Sequence, residues 1–271
     1  MSITITPTSD AGAYISGIDL NAASASDVKK IKDALGNHGV AFFRDQSITS
    51  ESHIAFAARF GEININRFFT PLADYPQIAQ VLKEPEHDKN IGEKWHTDHS
   101  YDQIPALGSI LVARELPASG GDTLFVNMFA AYDALSSEQK DALEGLSATH
   151  SSRHVFGSKD KTGRLKNSNA ATQDSSHPVV IKHPFSGKRA LYVNPEFTVK
   201  INELPHAKSE SLLNEIYTHT QRSEFMHRFE WLPGSVAFWD NRATWHKALN
   251  DYPGQRRLMH RITVQGVALH G

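Results

Sequence analysis

The sequence predicts a mainly β fold with flanking helices, a β-sandwich or jelly roll. Six short runs rich in aliphatic, β-branched and aromatic residues lie between residues 108 and 267, with turn residues between them. Helical patterns gather mostly ahead of these runs. The regular strand–helix alternation that parallel βαβ units require is missing.

Each element follows from its local pattern. Residues 24–39, "SASDVKKIKDALGNHG", read as an amphipathic helix, with Val28, Ile31 and Leu35 on one face, Ser26 as the cap and Gly36 as the stop. "VAFFRDQ", 40–46, reads as a buried strand, and 49–61 as a second helix ending at Gly61. Residues 129–146 read as one helical stretch in which Ser136 and Gln139 have capping-box spacing. A further helix is expected over 207–220. The strand-like runs are 108–117, 122–128, 177–184, 189–194, 235–240 and 257–267, and "KHPFSGK", 182–188, looks like a hairpin turn. No internal repeat or Pro- or Ser-rich linker divides the chain, so one domain is expected over 1–271. The stretches 63–76 and 151–176 are poor in helix and strand signals and read as candidate lid loops.

A chain of 271 residues buries roughly three-quarters of its unfolded surface, so a core needs no staples. Apolar residues at 39% and charged residues at 21% are ordinary for a globular protein, and a net charge of −2 argues against nucleic acid or an anionic membrane as the main partner. The absence of cysteine removes disulfides, thiolate metal sites and cysteine nucleophiles together. "MSITITPTSD" has neither a basic region nor an apolar core, and no apolar run approaches a membrane span. A cytoplasmic location is therefore the expectation.

Of the 15 histidines only His96, in "EKWHTDHSY", is followed two positions later by a carboxylate, Asp98. A His-x-Asp at a strand end or tight turn lets an imidazole and a carboxylate reach one ion, and a third ligand must come from elsewhere. Two histidines and one carboxylate occupy one face of an octahedron and leave three positions open, as in non-haem Fe(II) oxygenases. On its own the motif is more often a core or surface histidine. Trp95 reads as packing. His99 points away from the motif in an extended segment and reads as a neighbour rather than a ligand.

"FWDNRATWHKALNDYPGQRRLMHRITVQG" adds His246, then a turn-rich stretch, then Arg257 and Arg261, and reads as strand, hairpin, strand. Period-two alternation puts Arg257, Met259 and Arg261 on one face. Two arginines on one face of a packed strand need anions, either internal carboxylates or anionic small molecules beside a metal.

HTD at 96–98, Gly-Gly-Asp-Thr at 120–123 and WDNR…H…RR…HR from Trp239 to Arg261 resemble the taurine dioxygenase family. This Fe(II)/2-oxoglutarate group also contains the herbicide-degrading aryloxyalkanoate dioxygenases. The spacing matches, with 147 residues between Asp98 and His246, ten between His246 and Arg257, and three between Arg257 and Arg261. The similarity runs from "GVAFFRDQ" to "RRLMHRITV". It implies a double-stranded β-helix, cupin-like core, with His96, Asp98 and His246 as iron ligands. Arg257 would pair with the distal carboxylate of 2-oxoglutarate, Thr123 would hydrogen-bond it, and Arg261 would bind the acidic group of the prime substrate. The implied reaction consumes O2 and 2-oxoglutarate, releases succinate and CO2, and hydroxylates the substrate. The presence of Asp98 separates the chain from iron halogenases, which lack this carboxylate. Relatives are often homo-oligomers, so a homodimer or homotetramer is expected.

The chain departs from taurine-specific relatives. Asn66 and Phe69 replace a histidine and a tyrosine that grip the sulfonate, and Gly92 replaces an asparagine. Phe156 and Phe197 match aromatic pocket positions. "NIGEKWHTD" and "HSSRHVFGS" are similar to the phenoxypropionate branch, so the resemblance implies a more apolar pocket for a larger sulfonate, an alkyl sulfate or an aryloxyalkanoate. Two other readings stand beside this one. A jelly-roll metal enzyme of another reaction class would use the triad but leave the arginines idle, and a non-catalytic small-acid-binding protein would not need an intact triad.

Overall fold

In the computed structural model, which describes residues 3–157 and 172–271, nine strands form one large sheet. Its order is Thr4–Pro7, Ala13–Ser16, Val40–Phe43, Val236–Asp240, Gly108–Glu115, Arg257–Val264, Tyr75–Lys83 and Pro71–Leu72, with Ile63–Asn64 added beside Arg257–Val264. Pairing is antiparallel except between Ala13–Ser16 and Val40–Phe43. Against this sheet packs a smaller one, ordered Met226–Phe229, Thr123–Asn127 and Thr244–Ala248. Two further groups are Asp174–Pro178 with Ser147–Ser151 and Thr198–Ile201, and the hairpin of Val180–Lys182 with Arg189–Leu191. The architecture is a jelly roll with flanking helices, as the sequence predicts.

Strict alternation along the central strands separates two cores. Ala41, Phe43, Ile110, Val112, Val236, Phe238, Ile262 and Val264 face helices Ala25–His38 and Ser50–Ala57. Their neighbours Val40, Phe42, Leu111, Ala237, Trp239 and Met259 face the small sheet, where they meet Phe125 and Phe229. Both strand faces are buried because helices cover one side and the second sheet covers the other.

Several boundaries differ from the sequence reading. The first helix is capped by Ser24, not Ser26, because Ser24 and Asp27 form a reciprocal capping box. It runs through Gly36 to His38 and stops at Gly39, whose φ of 78° is cheap only for glycine and whose N–H closes on Leu35. The second helix ends at Ala57, before Gly61. The stretch 129–146 is two helices, Met128–Asp133 and Ser137–Leu143, split where Ser136 caps the second through the expected box with Gln139. The strand–hairpin–strand reading of 246–257 is wrong. Thr244–Ala248 pairs in the small sheet and Arg257–Val264 in the large one, so the intervening residues cross between layers.

The stretch 63–76 is not structureless, since it contributes Ile63–Asn64 and Pro71–Leu72 and begins Tyr75–Lys83. Of 151–176, residues 158–171 lie outside the described residues. The described flanks carry helix Arg153–Phe156 and strand Asp174–Pro178. The longest described irregular stretch is 84–107, which holds the HTD motif and touches regular structure through a bridge at His96. Among the described residues no helix is long and apolar enough to cross a membrane.

Candidate metal centre

His96 and His246 are brought together by the backbone. His96 N donates to His246 O at 3.2 Å and His246 N to His96 O at 2.9 Å, an isolated bridge that leaves the two rings 4.1 Å apart. Thr97 Oγ1 adds a bond to Thr244 O at 3.0 Å. Two residues on, Asp98 places Oδ1 3.8 Å from His96 Nε2 and Oδ2 3.8 Å from His246 Nε2. One ligand atom from each of the three buried residues lies within 4.8 Å of the others. Before His246, Asp240 holds the turn. Its carboxylate accepts from the Arg242 backbone and guanidinium and from His183 Nε2, all buried.

The donor set suits a metal. The Lys94 carbonyl lies 2.8 Å from His96 Nδ1, and because a carbonyl only accepts, Nδ1 carries a proton and Nε2 is the nitrogen turned toward Asp98. Burial alone would raise the Asp98 pKa, but the Arg261 guanidinium leads the opposing charges and the carboxyl sits well below the usual carboxylate range. Burial, His96 and Arg261 drive the His246 pKa well below 6.5 against the pull of Asp98, so its ring is neutral. Neutral imidazole and ionised carboxylate are the states a metal needs. Asp98 is fixed from both sides, by Arg261 Nη1 on Oδ1 and Ser109 Oγ on Oδ2, each at 3.0 Å.

A cavity of about 410 Å³ opens beside the triad. Arg257 lines it, 4% exposed, and its Nε and Nη2 have no hydrogen-bond partner among the described residues. Burial lowers its pKa, yet a guanidinium keeps its charge in proteins. Thr123 lines the same cavity and accepts from Trp231 Nε1 at 2.9 Å, which leaves its hydroxyl proton available to an incoming acceptor. The Trp231 ring lies 5.8 Å from the Arg257 guanidinium.

Arg261 also lines the cavity, 4.6 Å over the Phe69 ring. Phe69, Phe156 and Phe197 are cavity residues in one aromatic cluster with Phe68 and Tyr101. Asn66 is placed differently from the rest. It is not among the cavity residues. Its Oδ1 accepts from Phe68 N and Phe69 N, and its Nδ2 meets His99 Nε2 at 3.3 Å. His99 sits in a turn at φ 58°, not in an extended segment, and its Nδ1 bonds Asp102. Trp95 packs 6.4 Å from Trp245. Sequence reasoning missed Ser109, Trp231, His183 and the Lys94 carbonyl. A lone serine or tryptophan carries no spacing signal, and a carbonyl belongs to every residue.

Fold and site define a jelly-roll protein whose two-histidine, one-carboxylate cluster can hold a metal. The model of the family described as "Taurine catabolism dioxygenase TauD, TfdA family" matches residues 4–263. The chain belongs to this family and is a 2-oxoglutarate (α-ketoglutarate)-dependent dioxygenase. It is 34% identical over 264 residues to an α-ketoglutarate-dependent sulfate ester dioxygenase of Pseudomonas putida, covering 94% of this chain and 86% of that one. It is 33% identical over 271 residues to the α-ketoglutarate-dependent 2,4-dichlorophenoxyacetate dioxygenase of Cupriavidus pinatubonensis, covering 93% of each. A taurine dioxygenase structure from Burkholderia xenovorans superimposes with a TM-score of 0.84 at 34% identity, covering 100% of this chain and 93% of that one. The structure of AAD-2 with Mn(II) and N-oxalylglycine does so with a TM-score of 0.84 at 26% identity, covering 100% of both.

Proposed function

We propose that this protein hydroxylates a small organic acid in an Fe(II)- and 2-oxoglutarate-dependent reaction that releases succinate and CO2. The observation that carries this reading is Arg257, a buried cation with two unused donors beside the free hydroxyl proton of Thr123, in the cavity that contains the triad. Without an acidic partner among the described residues, such a planar fork favours a carboxylate from outside the chain. His96, Asp98 and His246 would hold the iron, which when bound supplies the chemistry of O2 activation. Arg257 and Thr123 hold the distal carboxylate of 2-oxoglutarate and orient its keto-acid end toward the triad. Arg261 takes the acidic group of the prime substrate, while Phe69, Phe156 and Phe197 bury its body and exclude water.

The related proteins act on a sulfate ester, an aryloxyacetate and taurine by name, and all three are organic acids. The aromatic wall here favours a substrate with a bulky apolar body, such as an alkyl sulfate, a long-chain sulfonate or an aryloxyalkanoate. Succinate formation from 2-oxoglutarate, Fe(II) and air, with each class compared to a substrate-free control, tests the proposal. One class is expected to stimulate turnover. A protein that makes no succinate under any condition, background included, would sink it.

A further inference from the structure

Asp98 stands on the irregular stretch 84–107, where no ladder of backbone bonds fixes its side chain. Its carboxylate is nevertheless held on both oxygens, and the two donors differ in kind. Arg261 is a cavity residue whose guanidinium an anionic substrate would recruit. Ser109 is fully buried and is not among the residues that line the cavity. It sits on Gly108–Glu115, in the middle of the large sheet, with Trp239 opposite it on one side and Thr263 on the other. The inward positions of this strand continue with Leu111 and Ala113, so the hydroxyl interrupts an apolar row. A buried hydroxyl in such a row is costly unless bonded, and its bond goes to Asp98 Oδ2 at 3.0 Å.

We propose that Ser109 is a positioning residue for the metal site. It fixes the orientation of the Asp98 carboxylate from the rigid sheet, independently of what occupies the cavity. The inference rests on the proposed function, since it takes Asp98 as a metal ligand. Donors of this kind orient a ligand before the metal arrives, and removing one typically lowers metal affinity about 10- to 100-fold.

The test is Mn(II) affinity without substrate, read from the electron paramagnetic resonance signal of the free aquo ion, for the full chain and for Ser109→Ala and Ser109→Thr. Ser109→Ala is expected to bind Mn(II) about 10- to 100-fold more weakly. Its affinity for 2-oxoglutarate at saturating Mn(II) should not change, because Arg257 and Thr123 are untouched. Ser109→Thr keeps the hydroxyl and should recover most of the Mn(II) affinity, and it carries the test if the alanine variant does not fold. Folded Ser109→Ala with wild-type Mn(II) affinity would overturn the inference. So would a parallel loss of 2-oxoglutarate binding at saturating metal, which would mean general damage to the cavity. If the unmodified chain binds no Mn(II), the proposed function fails first.

Discussion

Arg257 and Arg261 lie four residues apart on one face of one strand, yet their surroundings differ. Arg257 leaves two donors unused among the described residues, with Trp231 beside it and Trp231 also bonding Thr123. Arg261 pairs with Asp98 and lies over Phe69, whose place is set by the Asn66 turn. The first setting holds no acidic partner among the described residues and, under the proposed function, takes a constant ligand, 2-oxoglutarate. The second is assembled from loops, and loops are where recognition of a variable substrate is most easily retuned. Under the proposed function, this contrast would separate co-substrate binding, at Arg257, from prime-substrate selectivity, carried with Arg261 by the loop-borne residues around it.

The sharpest way to break this comparison is Arg257→Ala. Losing two charge-assisted hydrogen bonds of about 1.5–3 kcal/mol each should raise KM for 2-oxoglutarate by roughly 100-fold or more and leave KM for the prime substrate nearly unchanged. Equal damage to both constants would erase the distinction. Arg261→Ala should do the reverse, raising KM for a verified acidic substrate about 10- to 50-fold, with succinate formed in excess of product. An unchanged KM would remove Arg261 as the anion anchor.

A pH profile bears on the comparison only if stability is followed in parallel. Burial pushes the pKa of His53 and of His150 down to about 3, so both are neutral when folded and can take a proton when unfolded. Their contribution is complete above the unfolded value near 6.5 and is lost as pH falls toward 3. The two together should cost about 1.4 kcal/mol between pH 7 and pH 6, measured by urea unfolding. A flat stability curve over that interval would contradict their burial as neutral rings. Neither residue lines the cavity, so activity loss that tracks this fall reports unfolding rather than either arginine.

The smallest expected effect is that of Trp231→Phe, which keeps a ring beside Arg257 and removes the donor to Thr123. It should weaken 2-oxoglutarate binding by about 1 kcal/mol, near fivefold, and spare the prime substrate. No change in 2-oxoglutarate affinity would mean that the Thr123 hydroxyl needs no orienting.

The division between what could and could not be read in the chain follows the range of the forces involved. Period-two alternation is local, so the sequence by itself determined that Arg257 and Arg261 share a face, and the motif spacing placed the chain in its family. The capping box at Ser136 was equally legible. At Ser24 the same logic was available, but Ser26 competed for the role until the reciprocal bond to Asp27 decided it. Reading 246–257 as a hairpin failed because turn residues fix the direction of the chain, not the sheet it enters next. Only the tertiary structure decided that Asn66 serves a turn, that Ser109 reaches Asp98, and that Trp231 leaves Thr123 a proton to give. The last two depend on partners eleven or more residues away that no neighbouring residue announces, whereas the Asn66 bonds to Phe68 N and Phe69 N are local and only the fold decided them against a pocket role. Burial then makes such contacts matter, because a buried polar group without a partner is costly.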